Sequence, residues 1–258
     1  LAQPLVAIGA RLARFSEFTT LGLRPNLEDY PPEHLELIQN ARRIFYPTDA
    51  FAQQFSAMGK DIYPSLECHL LEGDKIKQTT LFKLLSLDHP RTRIFYGKQK
   101  SAITDYFSFP FVAKKARGSA LGQGVYLIRN QAELDAYLAM HNPAYIQDYL
   151  PIKRDIRVVV LGFEPLLAYW RWSQPEDFRT NVARGGQVDF EGVPDSAVEL
   201  AVEAARSANL NEVGVDVAFW QGKPYLLEFN VKFGHHGPGL AGIDIPGVIA
   251  QRILAGEL

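Results

Sequence analysis

Two carboxylates and an amide oxygen late in the chain are spaced so that they could meet. They lie in Val213-Gly-Val-Asp216-Val-Ala-Phe-Trp220, then Gln-Gly-Lys, then Pro224-Tyr-Leu-Leu-Glu228-Phe-Asn230. Val213, Val215, Val217 and Phe219 alternate with Gly214, Asp216 and Ala218, the period of a strand with one buried face. Asp216 therefore points away from the valines. In the second run Tyr225, Leu227 and Phe229 share one face, and Leu226, Glu228 and Asn230 the other, with Gly222 in the turn. A three-residue loop, Gln221 to Lys223, sets Asp216 opposite Glu228 in an antiparallel pair, whereas a two-residue loop sets it opposite Leu227. Such hard oxygen donors suit Mg²⁺, which keeps several waters and takes its remaining oxygens from phosphates. The same residues would equally serve as the polar face of an ordinary hairpin.

A second segment, Phe109-Pro-Phe-Val-Ala-Lys114-Lys-Ala-Arg117-Gly118-Ser119-Ala-Leu-Gly122-Gln-Gly124-Val125-Tyr-Leu-Ile128, reads as strand, glycine loop, strand. Its backbone N–H groups could close over phosphate oxygens with Lys114 as counter-charge. The lysine precedes the glycines, so this is no Walker loop, and no Gly-x-Gly-x-x-Gly follows a strand. A third group runs through Gln147-Asp148-Tyr149-Leu150, Arg154-Asp155-Ile-Arg157, Arg171, and Asp177-Phe-Arg179-Thr-Asn181-Val-Ala-Arg184-Gly-Gly186. Asp155 and Arg157 share a strand face, setting a carboxylate able to take a ribose hydroxyl beside a guanidinium able to take phosphate. Surface ion pairing would explain one such pair but poorly explains arginines recurring on apolar strands.

In this order and spacing, from about residue 73 to 249, the segments resemble the ATP-grasp superfamily, and most closely its RimK-type carboxylate–amine ligases, which add glutamate to a protein or small-molecule acceptor. The resemblance implies an α/β (α+β) ATP-grasp fold: two α+β lobes gripping ATP behind a short α/β N-terminal domain, with divisions at 1–70, 71–148 and 149–258. It implies that Lys75 and Lys114 hold ATP phosphates, with Gly118, Ser119, Gly122 and Gly124 in the loop above them. Asp148 and Tyr149 match the hinge that meets adenine, where the family more often has glutamate, and Asp155 matches the residue near the ribose. Arg179 and Asn181 match an Arg-Ser-Asn segment near the γ-phosphate, with Thr180 in place of the serine. Arg157 and Arg171 become further phosphate or acyl-phosphate partners, and Asp216, Glu228 and Asn230 become ligands for two Mg²⁺ ions, for which Mn²⁺ could substitute.

The implied reaction activates a carboxylate by moving the γ-phosphoryl group onto it, after which an amine attacks the acyl phosphate. The implied partners are a carboxylate substrate and an amine acceptor, which is a protein, a peptide or a small molecule. No residue stands out as the general base. One departure touches the acceptor side: where the family reads small residue, Ser, Pro, Gly after the asparagine, this chain has Val231-Lys-Phe-Gly-His235-His236-Gly237. Two adjacent histidines on a loop diverge, and no cysteine or further histidine lies at ligand spacing, so they read as solvated or substrate-contacting. A phosphotransferase on the same fold and a nucleotide-binding regulator without turnover are the alternatives.

The elements that must position these residues are also legible. Pro32 opens a helix through about residue 43, Thr48 caps one that stops at Gly59, and another begins near Gly73 and ends before His89-Pro90. Asn130-Gln-Ala-Glu133 and Ser196-Ala-Val-Glu199 read as capping boxes, the second opening a helix with an apolar stripe of Val198, Ala201, Val202 and Ala205. Tyr169, Trp170 and Trp172 read as core aromatics.

With 258 residues and 47% apolar content the chain can bury a large core, and a net charge of −2 argues against a nucleic-acid groove. The single Cys68 rules out an internal disulfide and suits the cytoplasm. No apolar run approaches membrane length, and Leu1 to Ala10 reads as a first strand rather than a signal peptide. No membrane partner is expected, and a homo-oligomer is compatible with the sequence.

Overall fold

A computed structural model describes residues 4–118, 124–172 and 187–258 of the chain. Among them the strands form three sheets. The first is parallel, with order β2-β1-β3-β4, from β1 (Leu5–Ala7), β2 (Phe18–Thr20), β3 (Arg43–Phe45) and β4 (Asp61–Tyr63). Helices α1 (Pro32–Asn40) and α2 (Asp49–Ala57) make its crossovers. Pro32 opens α1 as expected, and the Thr48 hydroxyl accepts from Phe51 N at 3.3 Å to cap α2. The short α3 (Leu66–Leu71) was not anticipated; six residues carry too little periodicity to announce a helix. It precedes α4 (Lys75–Leu84), capped by Asp74, whose carboxylate accepts from Ile76 N and Lys77 N at 3.0 and 3.1 Å.

The second sheet is antiparallel, β5-β8-β6-β7, from β5 (Thr92–Phe95), β6 (Phe111–Lys114), β7 (Val125–Ile128) and β8 (Ala144–Asp148). The turn α5 (Ile103–Tyr106) and α6 (Gln131–Met140) belong with it. Asn130 caps α6 by accepting from Glu133 N, but the Glu133 carboxylate returns to Arg129 N rather than to the capping residue. The third sheet, β11-β10-β9-β12-β13, comprises β9 (Asp155–Leu161), β10 (Glu164–Trp172), β11 (Gln187–Asp189), β12 (Glu212–Trp220) and β13 (Lys223–Asn230). Helix α7 (Asp195–Ser207) covers one face of it, followed later by α8 (His236–Leu240) and α9 (Ile245–Ala255). Pro194, not Ser196, precedes α7. The buried stripe is accordingly Ala197, Leu200, Ala201, Ala204 and Ala205, with Val198 and Val202 at its margin.

Strand β9 is buried on both faces, and its alternation organises the molecule. Ile156, Val158 and Val160 enter the core under α7, while Val159 and Leu161 enter a second core with Ala7, Phe45 and Tyr63 of the first sheet and Ile249 and Ile253 of α9. Among the described residues no helix is long and apolar enough to cross a membrane.

The β12–β13 hairpin settles the open register. The loop has two residues, Gln221 and Gly222, both at positive φ (51° and 78°), the backbone that a tight hairpin turn requires. Taken alone this would set Asp216 opposite Leu227. A bulge between Asp216 and Val217 absorbs Leu227, so Val217 pairs with Leu226 and Asp216 pairs with Glu228. The bulge also corrects the expected faces, because Leu226 lies in the core beside Phe229 rather than on the side of Glu228. Leu226→Ala should therefore cost about 2–5 kcal/mol in urea unfolding, whereas Leu227→Ala should cost much less; strict alternation demands the reverse order.

Candidate functional site

Asp155 and Arg157 continue the strand face that Val159 and Leu161 begin, beyond the point where apolar packing covers it. Across that face Arg157 is opposite Tyr169 of β10 and Asp216 of β12, and Asp216 is opposite Glu228 of β13. A row of one guanidinium and two carboxylates thus runs across the sheet from β9 to the edge strand β13. Asp216 accepts from Arg157 Nε at 2.5 Å and Nη2 at 3.2 Å, and from Asn230 Nδ2 at 2.9 Å. Its Oδ1 also lies 2.8 Å from Arg171 Nη2. Arg171 in turn holds Asp155 by two parallel bonds of 2.9 and 2.8 Å. Burial pushes the Asp216 carboxyl up, but Arg157 and Arg171 outweigh it and hold the group below the usual carboxylate range. Gly214 makes the row sterically feasible: a Cβ there would lie 2.8 Å from Arg157 Nη1 and 2.9 Å from Phe233 Cβ.

Two lysines face the carboxylate end of the row. Lys75, in the first turn of α4, places Nζ 2.6 Å from Glu228 Oε1. Lys114, at the end of β6, is buried with Nζ 5.9 Å from the centroid of the Tyr145 ring. Burial lowers the Lys114 pKa to about 8, against the raising influence of Glu228 and Asp216 and with that of Lys75. The segments carrying the lysines are joined by backbone bonds, from Lys75 N to Ala116 O at 3.0 Å and from Gly118 N to Gly73 O at 3.1 Å. Arg117 Nε donates to Asp74 at 2.8 Å across the same junction.

The structure therefore gathers Lys75, Lys114, Asp155, Arg157, Arg171, Asp216, Glu228 and Asn230. Gly118 and Gly124 flank the glycine loop, both at positive φ. Ser119 and Gly122, and also Arg179 and Asn181, lie outside the described residues. Asp148 ends β8 three residues along from Tyr145, the partner of Lys114, and Arg91 grips its carboxylate at 3.0 and 2.8 Å. Tyr149 follows it, half-buried. His235 packs on Phe233 with ring centroids 5.7 Å apart, while His236 is exposed at the start of α8. The expected divergence of the two histidines holds. Tyr169 and Trp170 are core aromatics as expected.

Sequence reasoning missed Glu212. It is wholly buried at the other end of the same β12 face, where it receives bonds from Arg11 and from the Tyr46 hydroxyl, the latter at 2.7 Å. The parity that placed Asp216 also places Glu212, so the signal was present. Its consequence is to fasten the first sheet to the third.

The donor set fits Mg²⁺. Among the described residues no three His, Cys, Asp or Glu side chains form a metal cluster, and Mg²⁺ is usually held by one or two carboxylates plus substrate phosphates rather than by an all-protein cage. Asp216, Glu228 and Asn230 would supply that partial shell, with Lys75 and Lys114 beside it.

The RimK-like ATP-grasp domain family matches residues 72–253. The chain is 31% identical over 220 residues to the ribosomal protein bS6–L-glutamate ligase of Escherichia fergusonii, covering 81% of this chain and 72% of that protein. The fold is similar to the D-alanine–D-alanine ligase of Bacillus anthracis in complex with ATP, with a TM-score of 0.71, 14% identity and coverage of 96% and 94%. It is also similar to the ATP-grasp ligase PsnB in complex with a minimal precursor, Mg and ADP, with a TM-score of 0.68, 17% identity and coverage of 100% and 99%.

Removing Asp216 strands Arg157, which is 7% exposed. Asp216→Ala should destabilise the ligand-free chain by about 3 kcal/mol or more, as breaking a buried ion pair does, read by chemical unfolding without nucleotide or metal.

Proposed function

The chain belongs to the RimK-like ATP-grasp family, and from that premise we propose that it is an ATP- and Mg²⁺-dependent carboxylate–amine ligase working through an acyl phosphate. The observation that carries this reading is the row Arg157–Asp216–Glu228 with Asn230, facing Lys75 and Lys114. Carboxylates resist amines because oxide is a poor leaving group. In the proposed reaction a carboxylate oxygen attacks the γ-phosphorus of ATP, the bond to the ADP oxygen breaks, and an acyl phosphate forms. The amine then attacks the acyl carbon, and the C–O bond breaks to release phosphate.

The residues divide the work by charge. Lys75 and Lys114 bind and orient phosphate oxygens, and Arg157 and Arg171 stabilise the charge that develops on the transferring group. Asp216, Glu228 and Asn230 would hold Mg²⁺, which when bound supplies charge neutralisation for the phosphates. In the structure these carboxylates are neutralised by the protein's own cations. Nucleotide and metal therefore enter together, with phosphate drawing the lysines and arginines away while the metal takes the carboxylates. Release of Asp155 from Arg171 in the same exchange would make its carboxylate available to the ribose, with Asp148 and Tyr149 on the adenine side. A relative named for bS6 and a structural neighbour bound to a precursor peptide support a protein or peptide acceptor, with glutamate as one of the two substrates joined.

Hydroxylamine, as a small amine surrogate, tests the chemistry before the natural amine is identified. With ATP, Mg²⁺ and free glutamate or a glutamate-terminated peptide, wild type should yield hydroxamate, ADP and phosphate, and Glu228→Gln should lose this while keeping its circular dichroism. A stable phosphoester formed without any amine would contradict the ligase reading.

Lys114 adds a pH signature. It is charged below about 8 and neutral above, so ATP affinity should fall as pH rises past about 8, by up to about tenfold per pH unit for one linked proton. Lys114→Arg, which stays charged, should remove that inflection in calorimetric titrations.

A further inference from the structure

Strand β13 is an edge strand, and one residue of it, Phe229, stands between the candidate metal ligands Glu228 and Asn230. Where another strand would be needed to pair its outward N–H and C=O, a side chain does so instead. Gln78, one turn beyond Lys75 on α4, accepts from Phe229 N through Oε1 at 3.0 Å and donates through Nε2 to Phe229 O at 3.0 Å. The same amide nitrogen donates to Leu71 O at 2.9 Å, so the amide is held at both ends and is 1% exposed. One turn further along α4, Phe82 packs edge-on against the Phe229 ring at 5.0 Å.

We propose that Gln78 is a positioning residue for the metal site, fixing the backbone of Phe229 so that Glu228 and Asn230 project to the same side. The inference rests on the ligase reading above, since it presumes that those two side chains hold Mg²⁺. Its physical basis is that a strand edge just past a bulge lacks a partner strand to set its pleat, and that two bonds to one residue fix both position and rotation. The helix that supplies the clamp also supplies Lys75, so displacement of β13 would alter the distance between Glu228 and the phosphate-binding lysine. Loss of either bond leaves a buried backbone group unsatisfied, which the strand can relieve by turning.

Mn²⁺ binding to the full chain in the presence of ADP, read by electron paramagnetic resonance, tests this directly. Gln78→Met keeps the length and removes both bonds, while Gln78→Asn keeps an amide too short to reach both groups and serves if the first variant fails to fold. Leu200→Ala, in the core away from the site, controls for lost stability alone. The expected result is Mn²⁺ affinity weakened by about 10–100-fold, the range for loss of groups that orient metal ligands, with ADP affinity in EDTA little changed. Mn²⁺ affinity equal to that of the Leu200→Ala control would overturn the positioning role. Absence of Mn²⁺ and ADP binding in wild type would overturn the ligase reading and this inference with it.

Discussion

Buried carboxylates need compensating charge, and in this protein that requirement is met twice along one face of the third sheet. At one end Glu212 is neutralised by Arg11 and steadied by Tyr46, which joins the first sheet to the third. At the other end Asp155, Asp216 and Glu228 are neutralised by Arg171, Arg157 and Lys75. The first arrangement is closed by packing. The second lies where apolar cover ends and two lysine-bearing segments meet the sheet, and in the proposed function its counter-charges are exchanged for those of a ligand. Taking one partner from a buried pair is far more costly than replacing it by another of the same charge, which makes a polyphosphate with its divalent cation a natural substitute for the protein's own ions.

The remainder of the fold serves this face. Helix α7 and its alanine-rich stripe close the opposite side of the sheet, allowing β9 to be apolar there and charged here. Gly214 leaves room for the Arg157 guanidinium. Helix α4 reaches across to β13 from the N-terminal side and is bonded to the segment after β6, so Lys75 and Lys114 converge on Glu228 from separate parts of the chain.

Much of this was legible in the sequence because alternation is a local property. The period of two along 213–219 placed Asp216, and the spacing of Asp155 and Arg157 placed them on one face. What escaped had a tertiary cause. The bulge that absorbs Leu227 leaves no mark in a hydrophobic pattern, and it reverses the side of Leu226 while rescuing the pairing of Asp216 with Glu228. Gln78 reads as an ordinary polar helix residue, since nothing local announces that an edge strand will lie against it. The spacing sets Asp155 beside Arg157 but says nothing of its engagement by Arg171, which depends on the pairing of β9 with β10 that brings Arg171 opposite it. Helix α7 begins two residues earlier than its apparent capping box implies, with Pro194 rather than Ser196 at the capping position.

The central claim is that one set of charges answers both the chain's own ion pairs and the ligand, and calorimetry of the wild-type chain addresses it most directly. Titrations with Mg²⁺ alone, ATP alone and the two together should show weak binding of each separately and tight binding of one nucleotide when both are present. Equal Mg²⁺ affinity with and without ATP, or no nucleotide binding under any condition, would contradict the account.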